Sequence, residues 1–193
     1  MRQDSPMRHF DPHRLARYEK TNYVAYYRKD WPTLLRASVG MVMEVLGFSL
    51  PQASYAAYLM ARAQIAFAPF PENNLPLAEQ FIIRFYRFVR DAHGEDFDVC
   101  HAAKLELNWW VVHRRLFANS DNKELVSALS CLYAEAYGVD PDAVLPAAQE
   151  RAHGMLCSDL WVNAGKPKNS LLLVEEEEAL YHSYVLLKQA ISA

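Results

Sequence analysis

The sequence predicts a single all-α domain, a multi-helix bundle of about eight helices joined by short turns. Three observations predict it. Apolar residues recur at helical spacing along most of the 193-residue chain, and no stretch alternates like a strand. Asp11–Pro12, Pro32, Pro51 and Asp140–Pro141 stand where helices would open, because a first-turn proline lacks only an N–H that has no helical partner there. Gly47, Gly94, Gly138 and Gly165 each fall just past an apolar-periodic segment, where a left-handed residue closes a helix.

Residues 1–10 are expected to be a flexible N-terminal segment, and residues 11–193 a single helical domain. The first helix opens at Asp11 and Pro12 and runs to about Arg28. Pro32 starts the second, which Gly47 stops. Pro51 starts the third, "PQASYAAYLMARAQIAF", alanine-rich and apolar almost all round, so a central place or a close contact with a neighbour or second subunit is expected. The stretch "APFPENNLP" cannot continue a helix and forms the clearest loop. A fourth helix follows it and ends at Gly94. The fifth, expected to be central, begins near Asp96 or Asp98 and ends before "NSDN". Asp121 and Glu124 have the spacing of a capping box for the sixth, which Gly138 closes. Asp140 and Pro141 open the seventh, in which Pro146 implies a kink or a restart. The eighth runs from about Ser170 to the C-terminus, with "EEEE" read as its solvated first turn.

Composition narrows the classes. Hydrophobic residues at 52% and charged residues at 22% fit a globular chain that can bury a core without metal or disulfide. An aromatic share of 12% suggests a core or cleft lined with rings. The longest uncharged run, 17 residues between Glu44 and Arg62, is interrupted by Gly47 and Pro51 and is shorter than the roughly 20 residues of a membrane span, so no membrane partner is expected. The N-terminus lacks an apolar signal region, and three scattered cysteines, Cys100, Cys131 and Cys157, read as reduced thiols. A cytoplasmic protein is the expectation. Residues 1–36 carry eight basic and four acidic groups, while 140–193 carry four and eight, so the two ends could attract within the fold or across a homodimer. No basic stripe suits a nucleic acid. GxGxxG, P-loop, GxSxG, CxxC and HExxH patterns are all missing, so no nucleotide motif is read.

Carboxylates and histidines on apolar helices are what remain. In "LELNWWVVHRR", Ala103, Glu106, Trp110, His113 and Phe117 share one face of the fifth helix, and Leu105, Trp109, Val112 and Leu116 share an apolar face beside it. Glu106 and His113 are therefore candidates for burial, where a carboxylate must be paired, hydrogen-bonded, protonated or metal-bound. Two helical turns, about 10.5 Å, separate them. Glu150 and His153 form an ExxH pair, and Glu178 and His182 lie one turn apart; Glu19 is a further candidate on the first helix. Taken together this set is similar to the ligand pattern of ferritin-like and haem-oxygenase-like di-iron proteins. It departs from the first in having one ExxH only, and from the second in lacking HxxxDxxH on the last helix.

The resemblance implies iron held by Glu106, His113, Glu150, His153, Glu178 and His182, in a non-haem iron or di-iron oxidase. Residue chemistry alone favours a different reading: a small molecule bound in an aromatic-lined pocket by Glu106, Trp110, His113, Arg114 and Tyr26. Arginines and lysines near rings suggest that its ligand carries a carboxylate or phosphate; Arg28, Lys29 and Arg36 flank Trp31, Arg84, Arg87 and Arg90 sit among phenylalanines, and Arg114 and Arg115 follow His113. A non-catalytic scaffold, with Glu106 and His113 in a buried polar network, is the reading from another class. No spacing here separates a catalyst from a binder.

Overall fold

Helix openings and stops place the elements almost as the sequence predicts. In a computed structural model, which describes residues 5–192, a 3-10 turn at Pro6–Arg8 precedes eight helices. These are α1 (Pro12–Arg28), α2 (Trp31–Leu46), α3 (Leu50–Phe67), α4 (Leu75–His93), α5 (Val99–Arg115), α6 (Lys123–Tyr137), α7 (Pro141–Asn163) and α8 (Leu171–Ser192). No strand occurs among the described residues. The carboxylates of Asp11, Asp98 and Asp140 accept from first-turn N–H groups of α1, α5 and α7. Gly47, Gly94 and Gly138 close α2, α4 and α6 with φ of 62°, 64° and 61°. Lys29, which has no glycine's freedom, closes α1 in the same left-handed region with φ 59°.

The main helix contacts run between consecutive helices, and α8 completes the circuit by packing on α1. Contacts of Tyr23 and His113 with Asp159, all near the C-terminal ends of their helices, show that α1, α5 and α7 run in the same direction. Helix α7, more than the expected α5, anchors the core. It carries the fully buried Trp161 and Val144 and makes the most extensive contact in the fold, with α8. Gly154 permits that contact: a Cβ there would meet Leu180 Cγ at 3.1 Å and the Glu176 carbonyl oxygen at 3.4 Å.

Several expectations are corrected. Residues 5–10 are not a loose segment, since Phe10 is fully buried, Met7 nearly so, and Arg8 donates to the carbonyls of Tyr137 and Ile191. Residues 1–4 lie outside the described residues. Helix α3 packs closely on α4 through Ala53, Ala56, Ala57 and Ala63 but is peripheral, leaving Leu50, Tyr55, Tyr58 and Ile65 exposed. The Asp121–Glu124 capping box does not form. Asn122 is the N-cap of α6, and Glu124 is drawn instead to Arg115 at the end of α5. Pro146 neither breaks nor restarts α7. It lies on the exposed side, as does Asp142, whose carbonyl loses its helical donor and can turn to water. "EEEE" is not wholly solvated: Glu176 is 1% exposed and Glu177 pairs with Lys20 of α1. That pair joins the basic first segment to the acidic last one inside one chain.

No single helix among the described residues is long and apolar enough to cross a membrane; α2 and α3 together pass in length and composition but bend by 113°.

Candidate functional site

Because α1, α5 and α7 rise in the same direction, their polar residues meet in two layers inside the ring. The lower layer centres on Arg151 of α7. Its Nε and Nη2 donate to Glu19 Oε1 of α1 at 3.0 and 2.8 Å, and its Nη1 donates to the Tyr133 hydroxyl of α6 at 3.3 Å. The Tyr184 hydroxyl of α8 donates to the other oxygen of Glu19. Trp109 of α5 lies under the guanidinium, 5.4 Å from ring centroid to Cζ, a cation–π contact. Burial alone would lower the Arg151 guanidinium, but the charge and hydrogen bonds of Glu19 and the phenols of Tyr133 and Tyr184 together outweigh this and hold it well above its ordinary value.

Glu106 adjoins this layer. Its Oε2 accepts from the Tyr86 hydroxyl at 2.8 Å and its Oε1 from Trp110 Nε1 at 3.0 Å. Burial pushes its carboxyl above the ordinary value, against the lowering influence of Tyr86, Arg151 and the two indoles. Both oxygens are thus satisfied by uncharged donors, and Trp110 in turn sets its edge against Phe67, with centroids 5.4 Å apart.

The upper layer centres on Asp159 of α7, which is 2% exposed. Three groups converge on it: the Tyr23 hydroxyl of α1 at 2.5 Å, His113 Nε2 of α5 at 3.1 Å, and the Ala118 backbone N–H just beyond α5 at 3.0 Å. Burial raises the Tyr23 phenol, and the Asp159 charge adds to the effect, so the proton stays on the tyrosine. Tyr27 leans on Tyr23 with centroids 4.9 Å apart; burial raises its phenol too, which feels both Asp159 and Arg114.

Arg114 completes this layer at the end of the bundle. Its Nη2 donates to the Phe67 carbonyl at 2.9 Å, and its guanidinium lies 3.6 Å from the Phe67 ring centroid and 5.7 Å from that of Phe70. Nη1 is buried and makes no hydrogen bond. Burial lowers this guanidinium, with only the phenols of Tyr26 and Tyr27 acting in the other direction. Tyr26, half exposed, meets the Tyr27 ring edge-on at 5.2 Å.

The structure therefore brings Tyr26, His113 and Arg114 to one end of the interior and places Glu106 and Trp110 beneath them. It does not bring the six expected iron ligands together. Glu106 is held by Tyr86 and Trp110, His113 by Asp159, and His153 by Glu175. Glu178 and His182 face solvent on α8, and Glu150 is half-buried on α7. Among the described residues, none of Glu106, His113, Glu150, Glu178 and His182 belongs to a set of three ligand-forming side chains whose donor atoms converge. Nor do the arginines converge. Arg28 covers Trp161, Arg84 covers Phe81, Arg90 pairs with Asp91 and Arg115 with Glu124.

Arg151, Asp159 and Tyr23 are the central residues that the sequence reading passed over. A signal was present, since Ala148, Arg151, Met155 and Asp159 continue one stripe of α7 that is otherwise apolar. Comparison of the chain with family models, curated proteins and solved structures returned no match.

Proposed function

We propose that the protein binds a small molecule carrying a carboxylate or phosphate at the Arg114 end of the interior, between α1, α5 and the loop after α3. The single observation behind this reading is Arg114 Nη1, a buried cationic donor with no partner, in a wall of Phe67, Phe70, Tyr26 and Tyr27. An unmade hydrogen bond to a buried charged group costs more than one to a neutral group, so a ligand oxygen is the natural complement. Trp110 and Glu106 act beneath, holding Phe67 in place. His113, oriented by Asp159, supplies a proton acceptor beside the pocket, and an enzymatic role would run through it. Three free thiols support a cytoplasmic setting.

Isothermal titration with benzoate and phenyl phosphate as probes tests the reading. Saturable binding by the native chain is expected, weakened at least about tenfold in Arg114→Gln and unchanged in Arg36→Gln, whose side chain is exposed. Absence of binding by either probe, or equal binding by both variants, would overturn it.

A further inference from the structure

On the opposite side of α7 from the polar interior, a second cluster stands apart from Arg114. His153 and Cys157 are one turn apart on α7, and Glu175 reaches them from α8. His153 Nε2 lies 3.9 Å from Cys157 Sγ and 3.2 Å from Glu175 Oε1, and the three donor atoms all fall within 4.8 Å of one another. We propose that His153, Cys157 and Glu175 form a binding site for a divalent cation of the zinc class.

The distances carry the argument. Zinc bonds of about 2.3 Å to sulfur and about 2.0–2.2 Å to nitrogen and oxygen, at tetrahedral angles, put sulfur and nitrogen roughly 3.6 Å apart and nitrogen and oxygen roughly 3.4 Å apart. The sulfur–nitrogen and nitrogen–oxygen separations differ from these by a few tenths of an ångström, and the sulfur–oxygen separation, within 4.8 Å, closes toward roughly 3.6 Å by side-chain rotation. The backbone supports the geometry. The i, i+4 spacing points His153 and Cys157 along one face of α7, and Gly154 lets α8 approach closely enough for Glu175 to close the set.

Donor chemistry selects the ion. One thiolate, one imidazole and one carboxylate suit zinc or cobalt, whereas magnesium and calcium take oxygen donors. Cys157 is 2% exposed; burial, and after it the charges of Glu175 and Glu176, raise its thiol. A cation entering there neutralises that negative field as the thiol gives up its proton to solvent and the sulfur bonds to the metal. Three protein ligands leave a fourth position, the arrangement of zinc sites that hold water or a substrate. His153 also lines a surface groove of about 570 Å³ between α6 and α7, with Ser127, Cys131 and Gln149 among its walls. A small donor in that groove could complete the shell.

The test uses the full chain without a histidine tag. Cobalt(II) is titrated into the chelator-treated protein while the sulfur-to-cobalt charge-transfer absorption is recorded, and zinc is then used to displace it. One ion per chain with a thiolate band is expected, retained in Cys100→Ser and Cys131→Ser. Both features should disappear in His153→Gln and Glu175→Gln. These two side chains are 46% and 53% exposed, so the variants are expected to fold, as circular dichroism checks. Cys157→Ser should remove the band. Failure of the native chain to take up cobalt, uptake without the band, or uptake that survives both surface variants would reduce the cluster to a His153–Glu175 ion pair beside a buried thiol and overturn the proposal.

Discussion

Arg151 of α7 places two of its donors on a single oxygen of Glu19, across 132 residues of sequence, with both side chains inside the helical ring at 12% and 16% exposure. Tyr184 and Tyr133 occupy the remaining groups of the pair. A buried ion pair contributes little net stability compared with apolar residues of the same volume, but losing one member leaves an uncompensated charge. Glu19→Leu is therefore expected to destabilise the protein by about 3–5 kcal/mol, measured by urea unfolding. Adding Arg151→Met should restore most of the loss. An unchanged unfolding midpoint in Glu19→Leu would mean that the Arg151 charge finds solvent and the pair is not what sets the lower layer.

Glu176 makes stability depend on pH. Burial, reinforced by the charges of Glu19 and Glu177, lifts its carboxyl to about 8, while Ser158 and Lys20 oppose the shift. An acid whose folded value lies above the unfolded value of about 4.3 favours the protonated folded chain. Its stabilising contribution is full below roughly pH 4, declines as pH rises, and is lost once pH passes about 8. Glu176→Gln stays neutral throughout and should lack this decline. In chelator-treated protein, the melting temperature of the variant relative to the native chain is expected to be higher at pH 9 than at pH 5. Parallel pH profiles would show that Glu176 ionises as it does in the unfolded chain.

At Gly154 α8 lies close against α7, and a methyl group there has nowhere cheap to go: Leu180 is core and the Glu176 carbonyl is backbone. Gly154→Ala should cost about 1–3 kcal/mol, the range of overpacking, despite alanine's better helix propensity. By displacing α8 it should also weaken cobalt binding at His153, Cys157 and Glu175. A variant as stable as the native chain, or more so, would mean that the two helices separate freely.

How much of this was legible depends on how local each determinant is. Asp11 and Asp140 cap their helices as read, Asp98 rather than Asp96 caps the fifth, and Gly47, Gly94 and Gly138 end theirs, because capping is settled by a handful of adjacent residues. Glu106 was legible as buried because its own helix is apolar around it. Its partner Tyr86 was not, since 20 residues and a change of helix separate them. Asp121 and Glu124 mislead in the other direction: their spacing suits a capping box, but Arg115 competes for Glu124 across the turn. Cys157 and Glu175 gave no signal as a pair, because their relation is a contact between two helices and has no spacing in sequence.

What the sequence by itself determined is the set of helices and their faces: periodicity, caps and breakers act within a turn or two of chain, and the all-α architecture follows from them. Tertiary structure alone decided which polar residues meet. Closing α8 onto α1 brought Glu19, Arg151 and Tyr184 together, and aligning α1, α5 and α7 brought Tyr23, His113 and Asp159 together. The physical reason is that a buried charge must find its complement wherever packing places one, and packing depends on how apolar faces fit across the whole bundle. Arg114 Nη1 is among the buried polar atoms left without a hydrogen-bond partner, and the proposed ligand site rests on it.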